Sequence, residues 1–266
     1  MRDFILTMQQ NNIRKAYKSM VFNEVNKKDF ILNILVACEE SQEVCKAFRE
    51  KGHNAFSCDI MECSGNHPEW HIKENVLPLL NGNCSFKTMD GKEHNIDGKW
   101  DMILAFPPCT HLAVSGAKHF EKKRADGRQR EGIEFFCQFL TADCDKISIE
   151  NPIGIISGDY IKKWFPDLAQ KYGLPIKPTQ IIQPYEFGHH TKKSTCLWLK
   201  GLQKLTPTNI VEPKIITYKG GAKFGAGIGQ VFDENGKAIP FHDPRTAKAR
   251  SKTFSGVAKA MADTWG

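Results

Sequence analysis

A cysteine behind two prolines, Pro107-Pro108-Cys109, and a glutamate ahead of an asparagine and a proline, Glu150-Asn151-Pro152, are the residues of this chain best suited to chemistry. Proline fixes φ and removes a backbone donor, so the pair before Cys109 stiffens the chain and holds the thiol in one place. A free thiol has a pKa of ~8.5 and is mostly protonated at neutral pH. A nucleophilic Cys109 therefore needs a site that lowers that value or takes the proton during attack. Glu150, once withdrawn from water, would hold or deliver a proton near neutrality. Each has a plainer alternative, since buried cysteines commonly serve as inert packing and loop glutamates as solvated acids. Cys58, Cys63, His67 and His71 place four potential metal ligands within fourteen residues. Zinc sites usually separate their two ligand pairs by a longer loop, so this segment reads as a strand end and a polar loop, with no metal expected. His189-His190 follows a glycine and reads as a surface or packing pair.

The elements that must position these groups are legible in the apolar pattern. Ile31 to Ala37 is nearly continuous in apolar residues, as in a strand buried on both faces of a parallel sheet. The loop Cys38 to Gln42 then leads into a helical stretch with Val44, Ala47 and Phe48, closed by Gly52. Asn54 to Ile60 reads as a second strand carrying Asp59 near its end, which completes a βαβ unit. The pattern repeats with a strand at Asp101 to Phe106, a helix at Arg130 to Leu140 and a short strand at Lys146 to Ile149 that runs into Glu150. Alternation of this kind predicts an α/β fold, doubly wound on a mostly parallel sheet, with ligands beyond the carboxyl ends of the strands. Cys38 to Gln42, Asp59, Pro107 to Thr110 and Glu150 to Pro152 all stand there. Ser194 to Leu199 reads as a later strand, and Ala247 to Trp265 as a closing helix.

The 266 residues are 41% apolar and 25% charged, which excludes disorder over most of the chain and suits one full core. No window resembles a membrane span, and Met1 to Asn12 is too polar for a secretory signal, so a cytoplasmic protein without membrane partners is expected. Nine cysteines in that setting read as free thiols. The net charge of +7 permits a polyanionic partner without requiring one. Six basic residues against Glu121 and Asp126 give +4 over Lys118 to Arg130, just after Cys109. That segment reads as a phosphate-contacting loop through Lys122, Lys123, Arg124 and Arg128, or as a loop basic by chance.

Taken in order, these motifs resemble the DNA cytosine carbon-5 methyltransferase family, especially its short phage members. Ile34 to Gln42 matches the family's first motif, Asp59 the acid ending the second strand, Pro107-Pro108-Cys109 the nucleophile motif, Ser115-Gly116 the pair closing the nucleophile loop, and Glu150-Asn151 the Glu-Asn motif. The resemblance implies a Rossmann-like fold of the S-adenosylmethionine-dependent methyltransferase type and methyl transfer to DNA, double or single stranded, with no obligatory protein partner. Cys109 and Glu150 would be catalytic. Cys38, Glu39, Asp59, Pro107 and Pro108 would line the cofactor site, while Ser115, Asn151 and Lys193 would join the basic segment in holding substrate.

The first motif here, Ala37-Cys38-Glu39-Glu40-Ser41-Gln42, lacks the family's glycines. Glu39 is a candidate for the cofactor's ammonium group, and capping of the following helix is the alternative. Lys193 and Thr195 stand near the family's paired arginines. Apolar spacing makes residues 1–30 an N-terminal helical extension and a content rich in Pro, Gly and Lys makes 200–247 loops, while the resemblance covers a catalytic domain (31–199) and a closing helix (248–266), leaving 200–247 as a short recognition region. So short a recognition region implies little sequence discrimination. The alternatives are a methyltransferase acting on RNA or a free cytidine nucleotide, and a catalytically silent nucleic-acid-binding protein.

Overall fold

The computed structural model describes residues 31–217, 223–225, 243, 245 and 250–266. The N-terminal extension expected at 1–30 and most of the recognition region beyond residue 217 lie outside the described residues. The fold is α/β. Seven strands form the main sheet: β1 Asn33–Ala37, β2 Asn54–Asp59, β3 His71–Lys73, β6 Met102–Ala105, β7 Ile147–Pro152, β8 Gln180–Ile182 and β9 Thr195–Lys200. Their order across the sheet is β3-β2-β1-β6-β7-β9-β8. β3, β2, β1, β6 and β7 run parallel, whereas β9 is antiparallel to β7 and to β8. β4 Cys84–Lys87 and β5 Glu93–Ile96 form a separate hairpin, and β10 Ile215–Thr217 pairs with β11 Lys223–Gly225.

Alternate residues of the central strands enter two separate cores. Leu35, Ile103 and Ile149 pack with Ile133, Phe136 and Phe139 of the helix Arg128–Leu140. Ile34, Val36 and Leu104 pack on the other face with Phe48 of the helix Glu43–Glu50 and with Met261 and Trp265 of the helix Ser255–Trp265. Because both faces are covered, β1 reads as a continuous apolar run instead of an alternating one. Among the described residues the helices, in chain order, are α1 (Glu43–Glu50), α2 (Phe120–Ala125), α3 (Arg128–Leu140), α4 (Tyr160–Trp164), α5 (Pro166–Tyr172) and α6 (Ser255–Trp265). α6 closes the fold beside β1, its Trp265 Nε1 donating to the Gln203 carbonyl at 2.9 Å. No helix among the described residues is long and apolar enough to cross a membrane.

The structure corrects the sequence reading in two places. The basic segment after Cys109 is not a loop: a 3-10 turn at Val114–His119 runs into α2. The segment after Asp59 holds more than a polar loop, since it supplies β3 and the β4-β5 hairpin. Within it His71 is fully buried, its Nδ1 2.8 Å from Ser57 Oγ and its Nε2 2.9 Å from the Met61 carbonyl. His67 stacks on Trp70 with ring centroids 3.8 Å apart.

Candidate active site

The order of the strands brings the motif residues to one edge. β1 and β6 are parallel neighbours in register at Ala37 and Ala105, and β6 and β7 at Ala105 and Ile149. Each chain therefore leaves the sheet at its carboxyl end on the same side, β1 into Cys38, β6 into Pro107-Pro108-Cys109 and β7 into Glu150. β9 runs the other way and pairs Leu197 with Glu150 and Thr195 with Pro152, so its beginning, with Lys193 just before it, reaches that edge too. The strand order reverses between β1 and β6, the crevice where open α/β sheets bind ligands.

Asn151 ties two of these segments together. Its side chain is buried, and Nδ2 donates to the Pro107 carbonyl at 2.8 Å. Pro107 has no N–H of its own to offer, so its carbonyl is the group by which the nucleophile loop can be held. The carbonyls that follow Cys109 are held as well. Lys123 Nζ donates to the Thr110 carbonyl, and Gln129 Nε2 donates to the His111 carbonyl at 3.1 Å.

Cys109 is half-buried and not sealed in the core. Burial pushes its thiol above the ordinary value, the nearby Glu150 carboxylate pushes it further, and Lys193 and Arg250 pull it back. Glu150 is raised by burial and lowered by Lys193. The thiol therefore senses the charge of the carboxylate and of both cations, and the carboxylate senses that of Lys193. Lys193 Nζ also donates to the Arg250 carbonyl at 3.2 Å, which fixes its position. Beside this group lies a small pocket lined by Phe106, Glu150, Lys193, Thr195 and Phe254 among others. Cys109 is not in its lining.

The expected cofactor residues divide. Asp59, half-exposed at the end of β2, accepts the Met61 N–H at 2.9 Å through one oxygen, and burial raises its pKa. Cys38 adopts a left-handed φ of 60° and donates its N–H to the Cys58 carbonyl at 2.7 Å. Gln42 also has φ 60°. The loop thus takes backbone conformations that favour glycine without containing one. Glu39 is 4% exposed and accepts the N–H groups of Val44 at 2.7 Å and Cys45 at 3.1 Å. This is the helix-capping alternative, and it uses both carboxylate oxygens, which tells against Glu39 as the partner of an external ammonium.

The expected substrate residues are also corrected. Lys123 is 8% exposed and serves the nucleophile loop from inside. Arg128 pairs with Asp126, Nε to Oδ2 at 2.9 Å. Arg124 donates to the Tyr160 hydroxyl and lies 4.0 Å from the centroid of the Trp164 ring. Lys122 and Ser115 are exposed. His189 Nε2 accepts the Gly256 N–H at 2.9 Å and His190 Nδ1 lies 2.7 Å from the Glu212 carbonyl, so both act in packing and loop closure. Arg250 acts on Cys109 and Ser251 to Phe254 line the pocket. The resemblance implies that this segment opens the closing helix and completes the cofactor pocket, but it does not single out Arg250 as a neighbour of the thiol.

Comparison with models of known protein families finds no match for this chain, and comparison with curated proteins finds none.

Proposed function

We propose that the protein is a cytosine carbon-5 methyltransferase acting on DNA, on a Rossmann-like methyltransferase fold. The observation that carries this reading is the convergence of Cys109, Glu150 and Lys193 on one sheet edge, with Glu150 and Lys193 acting on the thiol in opposite directions and Lys193 favouring the Glu150 carboxylate. Cys109 Sγ attacks carbon 6 of an unstacked cytosine, its proton passing to solvent as the S–C bond forms and returning from solvent once that bond has broken. Glu150, held towards its protonated form by burial, hydrogen-bonds ring nitrogen 3 and supplies the proton that neutralises the ring. The electron pair released to carbon 5 makes that carbon a nucleophile, which cytosine alone is too weak to be. S-adenosylmethionine would supply the methyl group. Carbon 5 then loses its proton to solvent, the S–C bond breaks, and Glu150 recovers the proton from nitrogen 3.

Asp59 fits the ribose of that cofactor, because one of its oxygens is free of the Met61 bond and it stands beside the strand-order reversal. Cys38, Pro107 and Pro108 fit the flanking walls by position alone. Glu39, committed to α1, does not fit the ammonium role. That last observation favours a second reading, a nucleic-acid-binding protein that no longer methylates.

Labelled S-adenosylmethionine and cytosine-containing DNA separate the two readings. Transfer that vanishes in Cys109→Ser, with Cys109 trapped covalently on DNA containing 5-fluorocytosine, supports the enzyme. DNA binding with no transfer by the intact protein overturns it.

A further inference from the structure

Two cations and an indole stand together on the surface formed by α2 and α4. Trp164 is 44% exposed, an unusual position for the largest side chain. The Arg124 guanidinium lies 4.0 Å from its ring centroid and the Lys163 ammonium 4.9 Å. Neither cation forms an ion pair among the described residues, whereas Arg128 and Arg130 on α3 are matched by Asp126 and Asp167. Lys162, next in the chain to Lys163, is exposed as well.

We infer that this face binds single-stranded nucleic acid, one unpaired base stacking on Trp164 while the flanking phosphodiesters meet Arg124 and Lys163. Uncompensated cations call for an anionic partner, and an exposed indole for a flat one. A base between two phosphates satisfies both. A duplex keeps its bases within the stack and offers no such face. The Lys163 ammonium, on a flexible stem, moves off the ring to a phosphate as the base arrives. Arg124 is already oriented, since it donates to the Tyr160 hydroxyl, which donates to Gln129 Oε1 at 2.9 Å. Gln129 in turn holds the His111 carbonyl, two residues beyond Cys109, so the binding face and the nucleophile loop share one support.

This inference does not depend on methyl transfer, and its test uses oligothymidylate, which contains no cytosine. Fluorescence anisotropy at low salt should show the protein binding the labelled oligomer, with Trp164→Ala weakening binding about tenfold and Trp164→Phe much less, as expected for loss and partial retention of a stacking platform. Lys163→Glu should weaken binding and flatten its salt dependence by about one phosphate contact. Oligouridylate run in parallel tells whether DNA or RNA is preferred, and binding of either supports the shared chemistry. An intact protein that binds neither oligomer, or a Trp164→Ala protein that binds as tightly as the parent, overturns the inference. Methylation assayed separately on cytosine-containing DNA can fail while oligothymidylate binding persists, which would remove the proposed enzyme and leave this face standing.

Discussion

Cys109 is a weaker acid than an ordinary thiol, because burial and Glu150 oppose its ionisation more than Lys193 and Arg250 favour it. Below its pKa the thiolate fraction falls tenfold for each unit the pKa rises. Alkylation of Cys109 by iodoacetamide, followed by peptide mass spectrometry, should therefore run slower at pH 7.5 than alkylation of a free thiol and should accelerate with rising pH. Lys193→Met removes the leading cation and should slow the reaction further, by about three- to tenfold, with the difference closing at strongly alkaline pH. Equal rates in the two proteins would show that Lys193 is too well screened to act on the sulfur. Cys109 and Glu150 are visible in the sequence because each follows a buried apolar run directly. Glu39 is ambiguous there, since an acid before a helix suits an external cation and a helix cap equally, and only the left-handed Gln42 that turns α1 back onto it decides the matter. Arg250 lies far along the chain from Cys109 and reaches it by tertiary docking, which no local pattern encodes.

That docking rests on α6. Gly256, in its first turn, donates to His189 Nε2, and a Cβ at this position would stand 2.0 Å from the Phe187 carbonyl oxygen and 2.9 Å from that same nitrogen. In an unconstrained helix, alanine is favoured over glycine by about 1 kcal/mol. Here the close approach reverses the sign. Gly256→Ala should cost about 2 kcal/mol, seen as a melting temperature lowered by several degrees, while Ser255→Ala at the exposed neighbouring position should stay within about 0.5 kcal/mol. A Gly256→Ala protein more stable than its parent would mean that α6 is free to shift. Among the elements, β1 and β6 are legible because burial on both faces leaves a nearly unbroken apolar signature, while β2 and β7 keep shorter apolar runs interrupted by the buried Ser57 and Ser148. β3 and β8, three residues each, are too short to carry a period. The β4-β5 hairpin does leave a signal, Asp90-Gly91 between alternating residues, with Gly91 at φ 88°. α2 reads as a loop because its charges suggest solvent, yet Lys123 turns inward to the Thr110 carbonyl.

At the scale of the molecule, alternating strands and helices foretell the parallel sheet and the edge on which ligands gather, but not the reversal of β9 that carries Lys193 to that edge. Nor do they foretell how deeply the loop after β1 is buried, and that burial couples the stability of the whole chain to pH. Glu39 has its pKa raised from 4.5 to about 7, chiefly by burial, with the N–H groups of Val44 and Cys45 opposing the rise. The folded chain thus holds this proton more tightly than the unfolded chain does. Glu39's contribution to stability is complete below about pH 4.5 and is lost as the pH climbs through 7. The loss amounts to at most about 3 kcal/mol, since a tenfold difference in proton affinity between the folded and unfolded chain corresponds to about 1.4 kcal/mol. Glu39→Gln keeps the shape and one acceptor but carries no titrating proton. Urea unfolding of both proteins at pH 5 and pH 8 should show the parent losing more stability than Glu39→Gln on going to the higher pH, because every other titration is common to the pair and cancels in the difference. A gap that stays constant, or that grows in favour of the parent as the pH rises, would mean that Glu39 is ionised in the folded protein and caps α1 as a carboxylate.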